Sequence, residues 1–386
     1  MRKEFAKLNN LVDLPHQHAH LLLQQCLQQN IRHLQRSLKT DDFGEEWKKM
    51  DERLWQEVQR LRMRQRENAP EDEEKGRLLS SLPARFGGLG LLSFNKIAPL
   101  AYKSAQEASD SFLAKIDLIH LLDPPPTPTP QRVRCAKLWS EQLSSFMEAA
   151  TQPERKHLVE NASKLGRSWL RQIPYFELLR LSNHEVAAGL HYRLLTPACS
   201  PVCSACANES DLGHDEVCRL RETWSIRRHD SINRVFQSYL SRVAGAVVSL
   251  EPSTQEGRRR NDLRVRGGGG ALRNADYDLK VYGLEDKHMY VVDGRGKPSG
   301  MEWLDWVQGR IVAWLSKRDE EVVKKAPRIY GGAFRPLVLS AGGLMSEATA
   351  VELRSWRKGM EREVWQGMQS RVGIELVKAR ARTLWM

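Results

Sequence analysis

Cysteine and long apolar runs are what this sequence has least of. Its 386 residues carry six cysteines, and four of those crowd between 199 and 218. So sparse and clustered a set excludes a disulfide-built scaffold and suits one metal site better. The longest apolar stretches, such as VAGAVVSL, fall far short of the roughly 18 residues a membrane span needs. The start, MRKEFAKLNN, has no apolar signal core. The chain therefore reads as soluble and intracellular. Negative charge is also in deficit, with 48 acidic against 60 basic residues, a formal charge of +12 and a pI near 9.5. That balance points to a polyanionic partner, nucleic acid first and an anionic membrane surface a distant second.

A chain of this length accommodates two or three domains at roughly 100–200 residues each, and the pattern along it supplies boundaries. In Leu14 to Leu38, Leu23, Leu27, Ile31 and Leu34 recur at helical spacing, and Trp47, Met50, Leu54, Val58 and Leu61 form the stripe of a second helix. LPARFGGLGLLSF, Leu82 to Phe94, is loop-like. Pro124, Pro125, Pro126, Pro128 and Pro130 predict a stiff extended linker and a domain boundary near 123–130. More amphipathic helix follows, to about Leu195.

The cysteine cluster, CSACANESDLGHDEVC, separates Cys203 and Cys206 by two residues, then places His214 after seven more and Cys218 after a further three. A two-residue gap lets one tight turn present two thiolates to one ion, and a histidine and a cysteine on the next turn complete a zinc tetrahedron. Cys199 is a spare candidate for the first ligand. Directly afterwards RRHDSINRVFQSYL predicts a helix whose buried side is Ile232, Val235, Phe236 and Leu240, with Asp230 placed to cap its start. Arg227, Arg228 and His229 beside a zinc knuckle are candidate nucleic-acid contacts, as is the run Arg258, Arg259 and Arg260.

The stretch RRNDLRVRGGGGALRNADYDLKV places Asp262 sixteen positions before Asp278, with Lys280 two residues further on. On an extended strand Asp278 and Lys280 project the same way, about 7 Å apart along the chain. Glycines 267–270 suit a tight or mobile connection, so two strands can bring Asp262 beside the pair. Asp276 shares the strand face of Asp278 and is an alternative to it. The basic residue also has alternatives in Lys324 and Lys325 with Tyr330, or Lys287 with Tyr290. Leu304, Val307, Ile311 and Trp314 predict a helix packed on the sheet, and Trp303 and Trp306 read as core before base-stacking platforms. PLVLSAGG reads as a buried strand ending in a turn, with two helices closing the chain.

These segments, in this order, resemble the C-terminal region of a non-LTR retrotransposon reverse transcriptase polyprotein, of the class with a restriction-like endonuclease downstream of the polymerase. LLLQQCLQQNIRHLQRSL is similar to the thumb helix of that family, and LPARFGGLGLLSFNKIAPLAYKSA to the glycine-rich segment beyond it. Ser168 to Leu195 resembles the linker into the knuckle. Cys203, Cys206, His214 and Cys218 match the Cys-Cys-His-Cys knuckle, Arg228, His229 and Asp230 the adjoining basic motif, and Asp262 and Asp278 the endonuclease aspartates. FRPLVLSAGGL resembles the strand and turn that close that domain. The chain departs from the family in carrying Asn261 where a proline is usual before the first aspartate. It also has no Phe/Tyr-x-Asp-Asp polymerase motif, so the palm and fingers are expected to be missing from this chain.

The resemblance implies an α+β chain in four parts: a thumb-like helical region over 1–122, a helical linker domain over 131–198, a zinc knuckle over 199–228, and an α/β restriction-endonuclease-like (PD-(D/E)XK) domain over 229–386. It implies structural Zn²⁺ on the knuckle and catalytic Mg²⁺ on Asp262 and Asp278, with Lys280 offsetting phosphate charge and positioning or deprotonating the attacking water. The implied activity is nicking of target DNA in the nucleus, so that a polymerase can prime reverse transcription of element RNA from the exposed 3′ end. Two other classes stay open: a zinc-dependent DNA- or RNA-binding module without catalysis, and a degenerate retroelement remnant. No membrane partner is implied.

Overall fold

The computed structural model describes residues 8–63, 70–116, 127–196, 202–252, 261–268, 272–285, 289, 296–325 and 333–384. The chain divides into two compact units, Met1–Ala84 with Gly88–Ala149, and Arg85–Gly87 with Ala150–Met386.

The first unit is helical, with α1 (Thr40–Leu61), α2 (Pro70–Ser81), α3 (Phe94–Ile116) and α4 (Gln131–Ala149). The α1 stripe behaves as its spacing predicts, with Trp47, Met50, Leu54, Val58 and Leu61 all buried. The segment before it does not. In place of one helix it forms His16–Leu22, a π-helical turn at Leu23–Leu27, and two short pieces, Gln28–Asn30 and Arg32–Ser37. Leu23 and Ile31 are buried, Leu27 and Leu34 only partly, and Gln17, Gln24, Gln28 and Gln35 go inward. A wide turn rotates the faces that follow it, and the amides turned inward need partners, as Gln24 shows by donating to the Leu89 carbonyl at 2.7 Å.

The boundary between the units is not the proline run. Pro124, Pro125 and Pro126 lie outside the described residues, and Pro128 and Pro130 lead directly into α4, which belongs to the first unit. The linker domain expected over 131–198 is therefore split after Ala149. The chain restarts at α5 (Gln152–Ala162), nucleated by a reciprocal capping box between Thr151 and Glu154. A second such box, Ser182 with Glu185, opens α6 (Asn183–Arg193).

The second unit is mixed α+β. Helix α7 (Glu222–Leu240) is followed by β1 (Ala246–Leu250), β2 (Leu263–Gly267) and β3 (Ala275–Tyr282), then α8 (Trp303–Lys325), β4 (Ala333–Ser340), α9 (Glu347–Gly359) and α10 (Arg362–Leu384). Strand order is β1-β2-β3-β4, antiparallel except for the parallel pair β3–β4 that α8 connects. Period-two alternation sets what each face of β3 carries. Ala275, Tyr277 and Leu279 are buried in a core with Phe236 of α7, Trp356 of α9 and Val372 of α10. Asp276, Asp278 and Lys280 occupy the other face. Tyr277 and Phe236 both pack edge-on against Trp356 at 5.3 Å between ring centres. The helix predicted around Leu304 and Val307 is α8, and its Trp303 and Trp306 are core residues.

The Tyr277 hydroxyl donates to Glu352 at 2.7 Å and accepts from Trp356 Nε1 at 3.3 Å. Tyr277→Phe leaves Glu352 to Arg335, 3.3 Å away, and the indole N–H without an acceptor. The expected cost is about 1–3 kcal/mol, measurable as a lower midpoint of thermal or urea unfolding.

Candidate functional site

The ligand-type residues at 203–218 are gathered by two tight turns. Cys203 N donates to the Asn208 carbonyl at 2.8 Å and Ala207 N to that of Cys203 at 2.9 Å, closing the turn that carries both Cys203 and Cys206. Gly213, at φ +87°, enters the short helix His214–Val217; a side chain there would strike His157. Cys203 and Cys218 sulfurs stand 3.9 Å apart, Cys206 Sγ lies 3.2 Å from His214 Nε2, and all four ligand atoms fall within 4.8 Å of one another. Zn–S bonds of about 2.3 Å at tetrahedral angles require sulfur–sulfur edges of about 3.8 Å, so this set can hold a metal such as zinc. Burial works against ionising Cys203, but the N–H groups of Cys206 and Ala205, with the Cys206 thiol and His214, bring its thiol down to about 6. Burial and the neighbouring thiols push Cys218 up. Cys199 lies outside the described residues.

The knuckle is fastened to the rest of the second unit by buried polar contacts. Asp215 accepts from Tyr192 at 2.6 Å and from Thr383 at 3.0 Å. Arg380 of α10 pairs with Glu216 and with Glu160 of α5, both at 2.6 Å. Glu160 and Glu216 are fully buried, so the guanidinium between them supplies the charge that makes their burial tolerable.

The second cluster lies where β2 begins beside β3. Asp262 N donates to the Tyr277 carbonyl at 3.1 Å, and Leu279 N donates to Asp262 Oδ2 at 2.6 Å, which turns that carboxylate across the strand gap. There it hydrogen-bonds the carboxyl of Asp278, whose Oδ1 accepts from Lys280 Nζ at 2.7 Å. Asp262, Asp278 and Lys280 thus come together. Burial, then the proximity of Asp262, raises Asp278 to about 6. Burial also acts to raise Asp262, but His229 and Asp278 outweigh it and its carboxyl is held low. Lys280 is raised because its two carboxylate neighbours outweigh desolvation.

The remaining candidates separate by location. Asp276, on the same face of β3 as Asp278, is 3 % exposed and already neutralised by Arg264 at 2.8 and 2.9 Å and Arg266 at 2.7 Å. Asn261 is buried and donates to Asp276 at 3.0 Å. Asp276 therefore holds β2 to β3 and is not free to bind an ion. Asp276→Asn is expected to lower the unfolding midpoint by leaving two guanidinium groups underpaired. An unfolding midpoint unchanged in Asp276→Asn would contradict this structural role.

Arg228 does not face solvent. It is buried, donating to the Val281 carbonyl at 3.1 Å, so it serves the packing of α7 on β3 and not phosphate contact. Asp230 does not cap the helix, because α7 begins eight residues earlier at Glu222, straight after the 3₁₀ turn Arg219–Arg221. Arg227 is exposed, stacked over Trp224 at 4.5 Å. Lys324 and Lys325 are exposed at the end of α8, and among the described residues nothing joins them to the aspartates. Arg258, Arg259, Arg260, Lys287, Tyr290 and Tyr330 lie outside the described residues. His229 holds a position the sequence did not reveal: its Nε2 is 2.9 Å from Asp262 Oδ2 and its Nδ1 is 3.0 Å from Asp230. Asn233, one helical turn on, lies 3.2 Å from Nε2. Desolvation lowers the imidazole, but Asp262 and Asp230 outweigh it and raise it overall. The i, i+4 spacing of His229 and Asn233 is the one trace of this in the sequence.

Fold and site define a mixed α+β unit with a three-cysteine, one-histidine set that could hold a metal and a carboxylate pair flanked by Lys280 and His229. Compared with known proteins, the chain matches no family model and no curated protein. Among the described residues no helix is long and apolar enough to cross a membrane.

Proposed function

We propose that the second unit is the divalent-metal-dependent DNA endonuclease of a non-LTR retrotransposon protein, nicking target DNA in the nucleus so that reverse transcription of element RNA can start from the new 3′ end. The observation that carries this is the meeting of Asp262 and Asp278 beside Lys280. Support for the finer fold reading, a restriction-endonuclease-like domain, comes from the order α7, β1, β2, β3, α8, β4, with both acids at the β2–β3 pair. Two converging carboxylates are hard oxygen donors of the kind magnesium takes. Bound by Asp262 and Asp278, that ion would polarise the phosphate and acidify an attacking water. Zinc on Cys203, Cys206, His214 and Cys218 would be structural.

The chain's own groups divide the remaining work. Lys280 is held cationic, so it offsets phosphate charge and orients the water, and a role as proton acceptor is disfavoured. His229, whose imidazole is raised by Asp262 and Asp230 against desolvation, adds a proton donor or acceptor at the same edge. Exposed Arg227 supplies a phosphate contact on α7.

A second reading rests on a specific observation. Asp262 already has His229, and Asp278 already has Lys280, which is how a non-catalytic binding module would dispose of the same acids. The deciding experiment is nicking of supercoiled plasmid by the whole chain across magnesium concentrations. Nicking that needs magnesium supports the endonuclease. Salt-sensitive binding without cleavage, unchanged by substituting both aspartates, supports the module, and absence of both supports a remnant.

A further inference from the structure

A cavity of about 760 Å³ opens among α7, α9 and α10, lined by none of Cys203, Cys206, His214, Cys218, Asp262 or Asp278. Its floor is apolar, with Phe236, Leu353 and Met368 buried there, and Trp365 lies in its wall, partly exposed. Its rim is basic. Lys164, Arg354, Arg357 and Arg362 are all exposed, no Asp or Glu lines the cavity, and among the described residues none of the four has an ion pair. Gln366 and Gln369 add two side-chain amides. The size is that of a small-ligand pocket, roughly 300–1,000 Å³.

The chemistry specifies the occupant. Four cations unbalanced by any carboxylate call for an anion of several charges. A tryptophan wall over an apolar floor calls for a flat, weakly polar body, and the amides offer donors and acceptors to its edge. A nucleotide strand has all three properties: spaced phosphates, a stackable face and a hydrogen-bonding edge. An acidic peptide supplies the charge but not the flat body with an edge to read.

We infer that this cavity is a second nucleic-acid site, taking an unstacked base of a single strand against Trp365 while the neighbouring phosphates rest on Arg354, Arg357 and Arg362. The site deepens the proposed function, since a nicked or opened target exposes single strand, but it is separate from the aspartates. It therefore stands or falls by binding and not by cleavage.

The test is fluorescence anisotropy of the full chain with a short labelled oligothymidylate, the same backbone with abasic residues, an oligouridylate of equal length, and polyglutamate. The normal oligonucleotide is expected to bind about 10-fold tighter than the abasic one. Trp365→Leu, which keeps the wall apolar, should erase that difference and leave abasic binding unchanged. The double variant Arg354→Gln/Arg357→Gln, on exposed positions, should flatten the salt dependence of log Kd by about 1.4, two single-strand phosphates at about 0.7 each. The two oligonucleotides distinguish a DNA strand from an RNA strand as the source. Equal binding of normal and abasic strands by the wild type, or an unchanged base preference in Trp365→Leu, overturns the inference. So does polyglutamate that competes as well as the oligonucleotide, which makes the cavity a docking site for an acidic protein. Plasmid nicking by the same variants separates the two proposals: base-selective binding without nicking in the wild type removes the endonuclease and keeps the pocket, and the reverse keeps the endonuclease alone.

Discussion

Stripping metal from the Cys203, Cys206, His214 and Cys218 set with a chelator is expected to cost the second unit most of its stability. Structural zinc in small modules supplies apparent binding free energies of roughly 10–16 kcal/mol near neutral pH, and that energy is folding energy. Here it would not be confined to the knuckle. Asp215 and Glu216 sit between the ligands His214 and Cys218, and they hold Tyr192, Thr383 and Arg380. When the turn opens, both acids leave those partners, and Arg380 keeps Glu160 and the Tyr192 ring but one carboxylate fewer. Hydrogen exchange with and without chelator should show lost protection over 202–218 and then over α10, while α1 and α3 of the first unit keep theirs. Unaltered exchange around Cys203 and Cys218 after complete chelation would show that the four residues pack without an ion.

Asp278→Asn is expected to lower magnesium-dependent nicking by at least about 1,000-fold, the kinetic equivalent of several kcal/mol of lost metal-borne stabilisation. The same change is expected to stabilise the metal-free protein above pH 6. The sign follows from protons retained: a free carboxyl of this type ionises near 3.8, whereas Asp278 in the fold holds its proton to about 6. Between those values the unfolded chain has released a proton that the native state still carries, so stability falls as pH rises through the interval and the penalty is complete above it. Asparagine has no proton to lose. The gain should be about 1–3 kcal/mol, read as a higher unfolding midpoint at pH 7.5 than for the wild type in chelator, with the difference closing toward pH 4. A variant both more stable and inactive would identify Asp278 as a group kept at a cost for its chemistry. Nicking that continues in Asp278→Asn would move the metal elsewhere.

How much of this was legible depended on whether local spacing or distant packing decided the outcome. The α1 stripe, the buried face of α7 and the alternation along β3 are local periodicities, and each forms as its residues dictate. So do the knuckle ligands, because a two-residue gap constrains two thiols whatever surrounds them. Asp262 and Asp278 also meet, since a strand pair is a short-range consequence of the glycine-rich connection. Leu14–Leu38 misleads because a buried glutamine, Gln24, finds its partner in the carbonyl of Leu89, sixty-five residues away. Arg228 misleads for the same reason: its acceptor belongs to β3, and a basic residue beside a knuckle looks like a phosphate contact until that carbonyl is in place. Asp276 and Asp278 were inseparable by spacing, and Arg264, directly across in register, is what tells them apart. The division after Ala149 is marked only by the helix-start signals of Thr151, Pro153 and Glu154, whereas the prolines at 128 and 130 precede a helix of the first unit.

Arg380 also dictates when the second unit can be finished. It is made 220 residues after Glu160 and 164 after Glu216, and at roughly 5–20 residues per second a ribosome needs about 11 to 44 seconds to travel from the first carboxylate to its counter-charge. Throughout that interval the two acids are best left in water, so the turn that carries Glu216 has no seat until Arg380 has been made. A nascent chain stopped short of Arg380 would carry that turn with nowhere to dock it.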